Sequence, residues 1–150
     1  GQVARPLGVQ SLFLSQRPYL PLGDLRSAIA YPSRVEEGDD DRLRVALREV
    51  NLGHLADKLE RVEEWSRILS IGEQQRVAFA RVLYNQPKVV FLDEATSATD
   101  EGLEHALYTL LRRHLPDSVL VSVGHRGTLE AFHSHLLVLD GQGGWRYAAI

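Results

Sequence analysis

Cysteine is absent from this 150-residue chain, and so is methionine. Without thiols there is no disulfide and no thiolate-bound metal. A large charge of one sign is missing as well. The formal net charge is −3, which offers no electrostatic case for nucleic acid as a partner. No apolar run approaches the roughly 20 residues that a helix needs to cross a bilayer, and no stretch has the layout of a secretory signal. A chain that starts at Gly1 and holds no Met leads us to expect a piece of a longer protein. What is present is ordinary: 44% hydrophobic and 25% charged residues, enough for one globular domain with a real core.

The most informative stretch runs from Leu69 to Asp100, LSIGEQQRVAFARVLYNQPKVVFLDEATSATD. Ser70 and Glu73 have the S-x-x-E spacing of a capping box. That spacing predicts a helix from about Ile71 to Tyr84, ending before Pro87, with Val77, Ala80 and Tyr84 as its apolar stripe. Free N–H groups and the positive end of the helix dipole at such a turn suit a phosphate, and Gly72 removes a side chain where a ligand could approach. An ordinary capped helix satisfies the same pattern, so the turn alone assigns nothing. Lys88 to Leu92 is an apolar run without alternation, as expected for a strand buried on both faces of a parallel sheet. Asp93 and Glu94 follow it. Ligands in open α/β sheets bind beyond the carboxyl ends of strands. Two acids there can divide the work, one holding Mg²⁺ and the other deprotonating a water. Read blandly, both are turn residues.

Elsewhere, Val9 to Ser15 reads as a strand, and Pro18 and Pro21 keep the segment after it irregular. Asp24 is placed to cap a short helix reaching Ala30. The acidic run Glu36 to Asp41 has the composition of a cation site, but the favoured reading is a solvated loop whose aspartates cap a helix from about Asp40 to Val50, with Leu43, Ala46, Leu47 and Val50 on one face. His54 to Glu60 predicts a further short helix, and Trp65 reads as a packing residue or part of a contact surface. Asp100 is placed to cap a helix to about His114 that buries Leu103, Ala106, Leu107, Leu110 and Leu111. Ser118 to Val123 is a second buried strand ending at Gly124-His125. A short helix over Thr128 to Phe132 and a hairpin of His135–Leu139 with Trp145–Ala149 complete the chain. His133 and His135 have H-x-H spacing without a visible third ligand. Strands alternating with helices indicate an α/β fold with a largely parallel sheet.

On these residues the sequence resembles the ATP-binding cassette (ABC) ATPases. LSIGEQQ resembles their signature motif, VVFLDE their Walker B strand, and Ser97 to Asp100 (SATD) their D-loop. The resemblance implies a P-loop NTPase-like core truncated at its N-terminus, with a helical subdomain inserted at about 18–68 and residues 69–150 carrying the signature helix, Walker B, D-loop and switch histidine. It implies ATP and Mg²⁺ as ligands. Asp93 and Gln16 would then support the metal, Glu94 would be the general base, and Gln16 and His125 would align water and γ-phosphate. Ser70, Gly72, Glu73 and Gln74 would meet the nucleotide of a second, head-to-tail ATPase domain, and Asp100 would couple the two sites. A transmembrane domain fused upstream is implied, placing the chain on the cytoplasmic face of a membrane, the bacterial inner membrane. The pattern GEQQR-AFAR-LYNQPK is most similar to half-transporters of the fatty-acyl type and to bacterial peptide and vitamin B12 uptake relatives.

Three departures matter. Ile71 and Glu73 replace the usual Gly and Gln of the signature. Glu73 would set a carboxylate near the docking γ-phosphate unless it folds back as the cap. Thr99 replaces the usual Leu of the D-loop. The P-loop pattern G-x-x-x-x-G-K-[ST] is missing: the only lysines are Lys58 and Lys88, and neither follows a glycine. The isolated chain is therefore expected to be inactive toward ATP. Competing readings are a soluble non-transport ABC ATPase and a non-catalytic interaction fragment.

Overall fold

The computed structural model describes residues 2, 4 and 8–150. The polar lead-in at 2–6 therefore lies mostly outside the described residues. Strand β1 (Ser11–Leu14) is followed by a two-residue strand β2 (Gly23–Asp24), helix α1 (Leu25–Ala30) and helix α2 (Asp40–Glu49). A 3₁₀ turn covers Gly53–Lys58, where the sequence predicts a helix to Glu60. Then come β3 (Val62–Glu63), α3 (Trp65–Ile68), α4 (Ile71–Asn85), β4 (Val89–Asp93), α5 (Glu101–His114) and β5 (Val119–Val123). A second 3₁₀ turn at Gly127–Phe132 precedes β6 (His135–Leu139) and β7 (Trp145–Ala149).

The parallel sheet has the order β1-β4-β5. Leu12 pairs with Val90, and Val90 with Leu120. All of α1 to α4 is inserted between its first two strands. The short β2 pairs antiparallel with β3, and β6 with β7 as the expected hairpin.

Caps explain where the helices begin. Asp24 accepts from Ser27 N at 2.8 Å to start α1. Ser70 and Glu73 form the reciprocal capping box of α4, and Asp100 accepts from Leu103 N at 2.8 Å to start α5. Gln86, in the left-handed region at φ 46°, ends α4 just before Pro87. The expected aspartate cap of α2 takes another form. Asp39 occupies the N-cap without capping. Its carboxylate turns inward to accept the Tyr84 hydroxyl at 2.5 Å and Arg42 Nη1 at 2.9 Å. The Tyr84 hydroxyl bond is the main reason its carboxyl stays below the ordinary carboxylate value, with Arg42 adding to it and burial opposing.

Helix α4 is the centre of the domain, with α1, α2, α5 and β1 packed around it. The predicted stripe is therefore too narrow: every residue from Val77 to Tyr84 is buried. Phe79 meets Tyr108 of α5 edge to face at 6.2 Å, and burying each ring contributes about 2–3 kcal/mol. Arg81 donates Nε to Ala28 O at 2.7 Å and ties α4 to α1. Burial pushes its guanidinium down to about 10, so it remains charged at neutral pH. Trp65 is buried in the core, which decides for packing over a contact surface.

The strands are not buried on both faces by the described residues. Leu12, Leu14, Val90, Leu92 and Leu120 face the helices, whereas Phe13 is 65% exposed and Phe91 39%, with Val119, Val121 and Val123 beside them. In α5, Ala106 is exposed and Leu103 half-buried, while Glu104 and Tyr108 take the inward positions. An inward Glu is tolerated because threonine hydroxyls engage both of its carboxylate oxygens.

Candidate functional site at the carboxyl ends of the parallel strands

The site begins where β4 and β5 end in register, Asp93 opposite Val123. Asp93 and Glu94 are half-buried. The Glu94 amide donates to Val123 O at 2.9 Å, holding the two strand ends together. Its backbone has φ 49°, a conformation uncommon for a non-glycine residue and typical of functional turns. The bend turns the Glu94 side chain toward the end of β5. There, His125 Nε2 lies 2.9 Å from Glu94 Oε1, a hydrogen bond when Nε2 carries the proton. The imidazole is 87% exposed. Glu94 and His125 open on a cleft of about 140 Å³. The arrangement supplies a carboxylate that can accept a proton and an exposed imidazole that can hydrogen-bond an oxyanion.

The turn before α4 approaches this end from the side. A Cβ added to Gly72 would lie 2.9 Å from Ala98 O. The glycine is therefore required within the chain itself, for the close passage of the 97–100 segment. Glu73 does fold back. Its Oε2 accepts from Ser70 N at 2.9 Å and from Ser70 Oγ at 2.8 Å, and His54 Nε2 stands 3.4 Å from its other oxygen. Burial raises the Glu73 carboxyl, but the Ser70 bonds, Arg76 and His54 outweigh it and leave the group below its ordinary value. Ser70 Oγ is thus occupied by the cap. Gln74 is buried, and its amide donates to Ser66 O and Leu69 O, both at 2.9 Å. It supports the turn from behind.

Three residues outside the expected site set, Gln75, Glu104 and Arg126, join these loops. Gln75 is 1% exposed. Its amide nitrogen donates to Gln16 O at 2.8 Å and Ser97 Oγ at 3.0 Å, and its amide oxygen accepts from Ala98 N at 3.1 Å. One side chain therefore ties the segment after β1, the 97–100 segment and α4 together. Gln16 enters this link through its carbonyl, and its side chain is exposed. Glu104 is 2% exposed and accepts from Thr96 Oγ1 at 2.6 Å and Thr128 Oγ1 at 2.9 Å. Arg126 lies 3.6 Å from Glu104 and donates through both Nη atoms to Thr99 O at 3.2 Å. The readable signal was a polar residue on a predicted buried face: Glu104 lies between Leu103 and Leu107, and Gln75 beside Val77. Asp100 is engaged as the cap of α5.

Three other histidines serve elsewhere. His114 is 3.2 Å from Glu49, His133 Nδ1 is 2.8 Å from Leu129 O, and His135 stacks on Tyr147. Among the described residues no group of three or more His, Cys, Asp or Glu side chains is arranged to hold a metal by protein ligands alone.

With this geometry in place, comparison with known proteins decides the family. The sequence profile of the family described as ABC transporter matches residues 9–97. The chain belongs to the ABC transporter family. Among its ABC relatives, an uncharacterized ABC transporter ATP-binding protein of Haemophilus influenzae is 50% identical over 135 residues, covering 90% of this chain and 23% of that protein. The lysosomal cobalamin transporter ABCD4 of Homo sapiens is 39% identical over 155 residues, covering 97% of this chain and 25% of that one. A bacterial Atm1-family ABC exporter solved with ATP bound superposes with a TM-score of 0.73 at 26% identity, over 87% of this chain and 24% of the exporter. The chain thus spans about a quarter of the length of these ABC proteins. Gln16, the 70–75 turn, Asp93 and Glu94 lie inside the matched ABC region, whereas Asp100 and His125 lie beyond it.

Proposed function

We propose that this chain is the later part of the ATP-hydrolysing domain of an ABC membrane transporter. The observation that carries the reading is the Glu94–His125 pair, 2.9 Å apart across the ends of two parallel strands. In this reading Glu94 takes the proton of the attacking water, and its left-handed backbone sets the direction of the carboxylate. His125 and Gln16 orient water and γ-phosphate. Asp93 supports Mg²⁺: one carboxylate, with phosphate oxygens and waters, suits an ion that demands an octahedron and keeps part of its hydration shell. The metal would neutralise charge on the phosphates.

The exposed apolar face of the β1-β4-β5 sheet supports a preceding P-loop segment packed there, since strands with leucines on one face and phenylalanines and valines on the other call for cover on both sides. Residues 18–68 are the inserted helical subdomain, and a membrane domain upstream receives its motion at the cytoplasmic face, in the bacterial inner membrane. A second copy docks head to tail. For Ser70 to reach the partner's γ-phosphate, its hydroxyl leaves Glu73, while Gly72 N–H stays available and Gln74 holds the turn. Asp100 couples the two sites from the start of α5. By itself the 150-residue chain neither binds ATP tightly nor hydrolyses it, because the phosphate cradle and its Lys are not in it. Calorimetry on the isolated chain tests that point; micromolar affinity for ATP would refute it. The assignment of Glu94 is tested in the full-length protein with Glu94→Gln, which should bind ATP, dimerise and stall. Near-normal turnover would remove Glu94 from the role.

A further inference from the structure

We propose that Glu104 is a positioning residue which, through Arg126, links the loop carrying His125 to the 97–100 segment, so that displacement of one is passed to the other. The inference rests on the functional reading above.

A first-turn acid in a helix ordinarily faces water, where it complements the dipole. Glu104 instead points inward and is 2% exposed. A carboxylate so buried is costly unless its oxygens are paired. The pairing is supplied by three loop residues. Thr96, two residues past Glu94, donates to one oxygen, Thr128 donates to the other, and Arg126 stands 3.6 Å away. Arg126 follows His125 directly in the chain. Its guanidinium spends both Nη groups on Thr99 O, the residue before the Asp100 cap. The fork is planar and rigid. A shift of His125 toward a ligand therefore carries Arg126 with it, and Arg126 cannot keep both Thr99 and Glu104 unless the 97–100 segment follows. Glu104 is the fixed post of this link, because it sits on α5 rather than on a loop. A purely fold-stabilising cluster would make the same static contacts. The two differ in kinetics.

The test uses the full-length protein with Glu104→Gln, Arg126→Ala and the double variant. Gln keeps an acceptor for a threonine but removes the charge that holds Arg126. Expected for Glu104→Gln are an unchanged KM for ATP, a kcat lowered about tenfold, in line with the coupling of residues in one salt-bridge network, and a Hill coefficient for hydrolysis that falls toward unity. Arg126→Ala should reproduce this pattern, and the double variant should be no worse than either single one. A lowered melting temperature with kcat and Hill coefficient intact would overturn the proposal, as would additive losses in the double variant. Should Glu104→Gln fail to fold, half-buried Arg126 carries the test alone: wild-type kinetics in Arg126→Ala overturn the link. Glu94→Gln assayed in parallel separates the two claims. If it abolishes turnover while Glu104→Gln and Arg126→Ala behave as wild type, the link fails and the site assignment stands. If Glu94→Gln turns over normally while the other two lose kcat together, the assignment of Glu94 fails and the link stands.

Discussion

Glu94 and Glu104 line the same cleft at the carboxyl end of the parallel sheet. Glu94 is half-exposed and meets an exposed imidazole, and its direction is set by its own left-handed backbone. Glu104 is buried, on helical backbone, and both of its oxygens accept threonine hydroxyls. The difference separates two uses of one side chain. In the proposed reading Glu94 takes a proton and needs an accessible lone pair: the main chain sets its direction, and the side chain stays part-exposed beside His125. A carboxylate that is to hold others still needs every lone pair used, because burial makes an unmet one costly.

The sharpest way to break this contrast is Glu94→Gln in the full-length protein. Turnover should fall by about 10²–10⁴-fold, with the melting temperature close to wild type; a large loss of stability would show that Glu94 too is structural. The same contrast predicts the reverse balance for Gln75→Leu, which leaves Gln16 O and Ala98 N without their partner. Denaturant unfolding should report a loss of about 2–3 kcal/mol, and an unchanged midpoint would mean the three loops are held otherwise. Tyr84→Phe tests another inward carboxylate, Asp39. The melting temperature at neutral pH should fall by about 3 °C. Asp39 has its folded-state value below the ordinary 3.8. Its contribution is therefore present above that value and lost as pH falls through the lower folded one. The gap between Tyr84→Phe and wild type should accordingly close in acid, and a gap that persists there would assign the effect to the ring alone. The smallest effect is expected at the exposed pair Arg67–Glu64, where Arg67→Ala should change stability by less than about 0.5 kcal/mol. A larger change would show that solvent exposure does not divide the two kinds of carboxylate.

Much of this was legible because the signals are local. A capping box spans four residues, so Ser70 and Glu73 announce the start of α4 by spacing alone. An apolar run that stops at two acids announces a strand end, and Asp93-Glu94 lie there. The same local rules misplaced Asp39, since a cap and a buried tyrosine compete for one carboxylate and only the fold brings Tyr84 near. They misread α5 as well: helical periodicity put Ala106 inward, whereas the threonines that make an inward Glu104 tolerable come from Thr96 and Thr128, on two other segments.

Order, cap positions and the two acids at a strand tip follow from the sequence by itself, since each depends on neighbours a few residues away. The junction is a matter for the tertiary structure. Gln75 reaches Gln16 across 59 positions, Gly72 must stay bare because Ala98 passes it, and Glu104 gathers loops from two strands. Such contacts exist only when the parallel sheet has aligned its strand ends, because distance along the chain says nothing about which loops will share one edge.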